Sequence, residues 1–271
     1  MTISGKTKTY GILGNPVSHS LSPVMHNAAF AATGIDAAYL PFPAPDISTA
    51  VTGIRALGVQ GASVTIPHKE QVMGLLDSID SVAVKIGAVN TIVRKDDTLL
   101  GFNTDWLGAV SALEEKISLA GRKVVILGAG GSARAIGFGM QERGADFVLV
   151  SRTESRGRAL AEELGCIWIS LSETKKISGD ILINATSVGM QPEIENSPVP
   201  ESVLSQFQVV MDIVYAPLKT RLLREAEAAG CVIINGLEML LYQGVAQFEM
   251  WTRQDAPVDI MRQALLGALK K

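Results

Sequence analysis

Residues Lys123 to Met140 read KVVILGAGGSARAIGFGM: an apolar β-branched run, a glycine-rich turn and a run of small helix-forming residues. No other stretch of the 271-residue chain restricts the fold so tightly. A strand here leads into a turn whose space is taken by backbone, and a helix then returns along the strand. The spacing Gly128-Ala129-Gly130-Gly131-Ser132-Ala133 fits G-x-G-x-x-A. The first glycine allows the tight turn, the second admits a pyrophosphate close to the backbone, and the small third residue lets helix and strand pack closely. Amide N–H groups and the positive end of the helix would then face the phosphates. Glycines also serve close packing alone, so the flanking strand and helix carry the reading.

Further apolar runs follow at FVLVSR (Phe147 to Arg152), ILINAT (Ile181 to Thr186) and VVMDIV (Val209 to Val214). CVIINGLEMLLYQGVAQF adds a last strand that enters a helix, while QPEIENSPVP (Gln191 to Pro200) is too rich in proline and glutamate for a core element. Strands alternating with helices predict an open α/β, Rossmann-like dinucleotide-binding domain over residues 106–239. NAD sites usually place a carboxylate about 20 positions beyond the glycines. This chain instead has Ser151-Arg152-Thr153-Glu154-Ser155-Arg156. Two guanidinium groups and a hydroxyl suit the 2′-phosphate of NADP. The competing possibility is a solvated helix start in which Glu154 neutralises one arginine.

The first hundred residues predict a second open α/β domain, over residues 1–105, with helices from about 240 to 271 folding back on it. YGIL (Tyr10 to Leu13), ASVTI (Ala62 to Ile66) and GAVNTIV (Gly87 to Val93) read as strands, the last followed by a hairpin at Lys95, Asp96 and Asp97. Pro23 to Thr33 and Ile47 to Leu57 read as helices, ended by Gly34 and Gly58. Composition bounds the function. Net charge is −3 with both signs interspersed, and no basic stripe points to nucleic acid. The chain is 47% hydrophobic, yet lacks an uninterrupted apolar run long enough for a membrane span. MTISGKTKTY has no apolar signal-peptide segment, and Cys166 and Cys231 read as free thiols, so the expected compartment is the cytoplasm. His19, His26 and His68 lack metal-ligand spacing, and no metal is expected.

Polar residues collect where strands end. In GNPVSHSLSPVMHN (Gly14 to Asn27), Ser22 precedes Pro23 and reads as a helix N-cap, whereas Ser20 is not needed for capping and stands after a strand, beside the helix dipole, where a ligand could be held. Thr65, Pro67, His68 and Lys69 follow a strand directly, at the edge where open sheets collect ligands. Asn90, inside an apolar run, either ties two backbone segments together or binds something. Asp105 either caps the helix that begins at Trp106 or serves chemistry. A lysine and a carboxylate beside a dinucleotide site could move a proton while nicotinamide exchanges a hydride with an alcohol. Lysine is the better proton donor of the two, because an ordinary carboxyl group is ionised at neutral pH.

These residues resemble the shikimate dehydrogenase family over nearly the whole chain. The matching pieces are Ser20-Leu21-Ser22-Pro23 with Met25-His26-Asn27, Val64 to Lys69, Gly87 to Thr91 and Asn103-Thr104-Asp105. They continue with Gly128 to Ala135, Asn184 to Met190, Asp212 to Tyr215, and Gly236 to Leu240 with Gln243. The resemblance implies NADPH-dependent reduction of 3-dehydroshikimate to shikimate in aromatic amino-acid biosynthesis, by a monomer or homodimer. It implies Lys69 and Asp105 as the catalytic pair, and Ser20 and Ser22, with Tyr215, as the carboxylate grip. Thr65, Asn90, Asp105 and Gln243 would meet ring hydroxyls. Arg152, Thr153 and Arg156 would clasp the 2′-phosphate, and Thr186, Ile213, Gly236 and Met239 would line the nicotinamide end. Ser63 and Ser151 depart from the family's usual asparagines. Use of quinate, or a dinucleotide-sensing protein without catalysis, are the rival expectations.

Overall fold

The computed structural model describes residues 2–269. The chain divides into two compact units, one comprising residues up to Thr104 and from Gln243 onward, the other Asp105–Tyr242. Among the described residues, no helix is long and apolar enough to cross a membrane.

The first unit begins with β1 (Lys8–Gly14), α1 (Ser22–Thr33), β2 (Ala37–Pro43), α2 (Ile47–Ala56) and β3 (Gly61–Val64). It continues with β4 (Ser78–Ile79), α3 (Ser81–Ile86), β5 (Thr91–Lys95) and β6 (Thr98–Phe102). The sheet order is β2-β1-β3-β5-β6-β4. β1 runs parallel to β2 and β3, whereas β5 runs antiparallel to both β3 and β6. The reversal is local: Lys95 pairs with Thr98 across Asp96 and Asp97, and Asp96 takes a φ of 54°. A two-residue turn of this kind needs no crossover. α2 presents Ile47, Val51 and Ile54 to a core with Leu13, Val64 and Ile92, and the Asp46 carboxylate caps its start by accepting from Thr49 N–H at 2.7 Å.

Two expectations for this unit fail for identifiable reasons. GAVNTIV is not one strand. Gly87 ends α3 in the left-handed region (φ 69°), and β5 starts only at Thr91, so Asn90 stands just before the strand. Ser22 is not an N-cap either: it is the first residue of α1, preceded by Leu21 with no side-chain cap. Ser20 Oγ instead accepts from Ser22 N–H, at 3.3 Å. β2 escaped the sequence reading because Pro41 and Pro43 interrupt it, which an edge strand tolerates.

The second unit opens with α4 (Asp105–Glu114), β7 (Lys123–Leu127), α5 (Gly131–Glu142), β8 (Asp146–Ser151), α6 (Glu154–Glu163) and β9 (Ile167–Ser170). It is completed by β10 (Ile181–Asn184), β11 (Val209–Asp212), α7 (Arg221–Ala228) and β12 (Val232–Ile234). Its order, β12-β11-β10-β7-β8-β9, is parallel throughout, the doubly wound arrangement whose order reverses beside the first strand, β7. Helix α8 (Gly236–Thr252) contains the boundary between the units, and α9 (Val258–Ala268) packs on α1. Cys166 and Cys231 are free thiols, and burial pushes Cys166 up to about 11.

Candidate active site

In the first unit, strand direction brings four polar segments to one edge of the sheet. β1 and β3 end there, at Gly14 and Val64. Antiparallel β5 begins there, after Asn90, and β6 ends there, before Asn103 and Thr104. Backbone bonds stitch the segments together: Thr65 N–H to Leu13 O at 2.9 Å, Val64 N–H to Asn90 O at 2.8 Å, and Asn90 N–H to Phe102 O at 3.0 Å. Val89 N–H holds Lys69 O at 2.8 Å, fixing the backbone of the lysine to the segment that carries Asn90. Gly14 is required by this closeness, since a Cβ on it would stand 2.3 Å from Thr65 Cγ2.

Ser20, Thr65 and Lys69 are partly exposed along this edge, while Ser22, Asn90 and Gln243 are buried. Asn90 ties two backbone segments together, as a buried amide can. Its Oδ1 accepts from Thr104 N–H and from Thr91 Oγ1, each at 2.7 Å, and its Nδ2 donates to Thr104 Oγ1 at 3.0 Å. The start of β5 is thereby joined to the end of β6. Tyr39 O–H donates to Ser63 Oγ at 2.6 Å, and burial raises the phenol well above its ordinary range. His26 is stacked on Tyr39, ring centroids 4.6 Å apart, and burial pushes it down to about 3, so it is a neutral packing ring. His68 is buried with Nε2 against Ala44 O at 2.7 Å. Among the described residues no cluster of His, Cys, Asp and Glu could hold a metal.

In the second unit, the carboxyl ends of β7, β8 and β10 open onto a cavity of about 430 Å³. Gly128, Ala129, Gly130, Arg152, Thr153, Arg156 and Thr186 all line it. Gly128 has φ 122°, and a Cβ there would lie 2.9 Å from Ala185 O, so only glycine fits the crossing of β7 and β10. Gly131 opens α5 with Ser132 on its first turn, and Ala133 is fully buried where helix meets strand. Glu154 pairs with Arg158 at 2.8 Å instead of with Arg152 or Arg156, and neither of these has an ion-pair partner among the described residues. Two exposed cations therefore stand at the cavity, with Glu193 on its lining but no carboxylate in an ion pair with either among the described residues.

The other residues expected at the nicotinamide end lie deeper. Gly236 is buried against the backbone of Ile213, where a Cβ would meet Ile213 O at 2.2 Å. Met239 is 7% exposed within the apolar core, and Ile213 packs against that core. Tyr215 is half-buried, which raises its phenol. Asp105 opens α4 as its first residue and is buried, so it is part of the helix and not a cap ahead of it.

Sequence reasoning missed the buried groups that hold these loops. Asn184 Oδ1 accepts from Thr186 N–H (3.1 Å) and Thr186 Oγ1 (2.6 Å), while its Nδ2 donates to Asp212 Oδ1 (2.9 Å). Asp212 also accepts from Val214 N–H at 3.0 Å and Thr220 Oγ1 at 2.6 Å. This carboxylate is fully buried, and desolvation outweighs its three donors to lift it to about 6. Gln247, one turn beyond Gln243, was the detectable signal in the first unit: a second amide at i+4 in an apolar helix.

Three family models match the chain. Residues 12–92 match the shikimate dehydrogenase substrate binding domain, residues 111–216 the shikimate / quinate 5-dehydrogenase model, and residues 236–266 the shikimate 5'-dehydrogenase C-terminal domain. The shikimate dehydrogenase (NADP(+)) of Methanothermobacter thermautotrophicus is 46% identical, with 99% of each chain covered. That of Pyrococcus abyssi is 47% identical over 97% of this chain and 99% of the relative. The crystal structure of shikimate 5-dehydrogenase from Thermus thermophilus in complex with NADP(H) and shikimate superposes with a TM-score of 0.91. It is 36% identical, covering 97% of this chain and 100% of that one. The chain belongs to the shikimate dehydrogenase family.

Proposed function

We propose that this protein catalyses the reversible, NADPH-dependent reduction of 3-dehydroshikimate to shikimate in aromatic amino-acid biosynthesis. The observation that carries the reading is the gathering of Ser20, Thr65, Lys69 and Asn90 at one edge of the first sheet. They supply hydroxyl, ammonium and amide groups suited to a small acid bearing several hydroxyls. The second unit fits the cofactor independently. It has a glycine cradle that a Cβ would fill and two arginines without carboxylate partners at the end of β8. When bound, NADPH supplies the hydride.

The chain's own residues do the rest. The Ser20 and Ser22 hydroxyls donate to the substrate carboxylate, with Tyr215 as a further donor. Thr65, Asn90 and Gln243 fix the ring hydroxyls and so set which carbon is presented. Lys69 Nζ hands a proton to the ketone oxygen during reduction and recovers it during oxidation, and the Asp105 carboxylate accepts a hydrogen bond from the hydroxyl that reduction creates. Gly128, Ala129, Gly130, Gly131, Ser132 and Ala133 form the pyrophosphate turn, and Arg152, Thr153 and Arg156 bind the 2′-phosphate. Thr186, Ile213, Gly236 and Met239 shape the nicotinamide end. The first unit is thereby the substrate domain and the second the NADP domain of a cytoplasmic monomer or homodimer.

A kinetic panel of shikimate and quinate against NADP and NAD tests this. The highest kcat/KM belongs to shikimate with NADP. A higher value for quinate would replace the biosynthetic reading with quinate catabolism, and no turnover with any pair would leave a dinucleotide-binding protein without catalysis.

A further inference from the structure

Gln247 is completely buried on α8 and uses its whole amide. Its Oε1 accepts from Ser63 Oγ at 2.7 Å, while its Nε2 donates to Thr91 Oγ1 at 2.9 Å and to Asn90 O at 3.3 Å. Directions along the chain of bonds are fixed by groups that can only donate. Thr104 N–H must donate, so Asn90 Oδ1 is the acceptor at that contact. Thr91 Oγ1 receives a Gln247 N–H, so its own hydrogen goes to Asn90 Oδ1. The result is a buried series running one way, Tyr39 to Ser63 to Gln247 to Thr91 to Asn90, with no donor opposed to a donor. Asn90 Oδ1 is held inward by Thr104 N–H and Thr91 Oγ1, and Nδ2 donates to Thr104 Oγ1, so the flip state of the amide is set by the protein.

We propose that Gln247 is a positioning residue for the shikimate site, orienting Asn90 through Thr91 and through the Asn90 carbonyl. The inference rests on the reading of Asn90 as a substrate contact. Side-chain chemistry at position 247 decides the matter. Glutamate keeps the acceptor for Ser63 but, ionised, loses the donor to Thr91; methionine keeps the volume and loses both. Either leaves the Thr91 hydroxyl without the partner that sets its direction, and a buried hydroxyl left so costs free energy or turns to a new acceptor.

The test is a double-mutant cycle read in shikimate kinetics and NADP binding. Gln247→Met and Gln247→Glu should each lower kcat/KM for shikimate by about tenfold to hundredfold while NADP Kd changes by less than about twofold. In an Asn90→Ala background the same substitutions should cost less than about twofold more, because the group they position is gone. Equal losses in both backgrounds, or Gln247 variants at wild-type rates while Asn90→Ala is crippled, would overturn the positioning role. An Asn90→Ala enzyme at wild-type rate would overturn the substrate-site reading itself, and the inference with it. Should neither Gln247 variant yield folded protein, Ser63→Ala, which removes the donor to Gln247 Oε1 together with the acceptor of the Tyr39 hydroxyl, carries the same cycle with an expected single-mutant loss of about threefold, Tyr39→Phe being the control for the second loss.

Discussion

At the polar edge of the first sheet the groups offered to a ligand are side chains, and those of Asn90 are locked by other buried side chains. At the edge of the second sheet they are mostly backbone, at Gly128 to Gly130, with exposed arginines beyond. On the proposed function, the contrast follows from what each half would recognise. A pyrophosphate asks for N–H groups and room, which a glycine turn provides whatever the surrounding side chains. A polyhydroxylated acid asks for donors and acceptors at set positions, and the proposed role of Tyr39, Ser63, Gln247 and Thr91 is to hold the rotamer of one of them, Asn90. One half is sensitive to added volume and the other to deleted hydrogen bonds.

The largest expected effect is at Lys69. Lys69→Ala should lower kcat for NADP-linked shikimate oxidation by about a thousandfold, with NADP Kd unchanged in a fluorescence titration; a variant at near wild-type rate would remove the lysine from the chemistry. Next comes Gly128→Val, which adds volume against Ala185 O at a φ that valine rarely adopts. It should weaken NADP by about a hundredfold and leave shikimate affinity within about twofold. Arg152→Ala is smaller and more selective: KM for NADP should rise about tenfold to thirtyfold while KM for NAD barely moves. Equal losses for the two cofactors would mean that the arginine does not read the 2′-phosphate.

The last prediction concerns stability and not ligand binding: a pH dependence at Asp212. Its folded value of about 6 lies above the unfolded 3.8, so the native state holds a proton that the unfolded chain gives up. Stability from this group is greatest below about pH 4 and is lost as pH rises through about 6, by about 3 kcal/mol in all. Asp212→Asn should flatten that slope in urea titrations between about pH 4 and 7. A slope unchanged by the substitution would assign it to other groups.

How far the sequence reveals the molecule follows the same contrast. The glycine turn and the arginines of SRTESR are local signals, each carried by residues close together in the chain, and both fall on one cavity. The strands of the second sheet stand out as continuous apolar runs because parallel strands are covered on both faces. The first sheet is harder to read. β2 is broken by prolines, and the buried Ala88 and Val89 imitate strand while serving as a connector after α3. Ser22 before Pro23 has the pattern of a cap, but the turn of chain around Ser20 starts the helix one residue earlier. The roles of Gln247 and Asp212 were hidden for a different reason, although the i+4 amide and the Asp212 to Tyr215 motif are both visible in the sequence. Their partners lie far along the chain, Ser63 for one and Asn184 and Thr220 for the other, and such pairing is set by tertiary structure alone.

The division of labour between the two units is tested most directly by calorimetric titration of shikimate and of NADP into the wild type, Asn90→Ala and Arg152→Ala. Asn90→Ala should lose at least about tenfold in shikimate affinity with NADP unchanged, and Arg152→Ala should lose NADP affinity with shikimate unchanged. A loss of NADP affinity in Asn90→Ala, or of shikimate affinity in Arg152→Ala, equal to the loss of its own ligand would contradict the assignment.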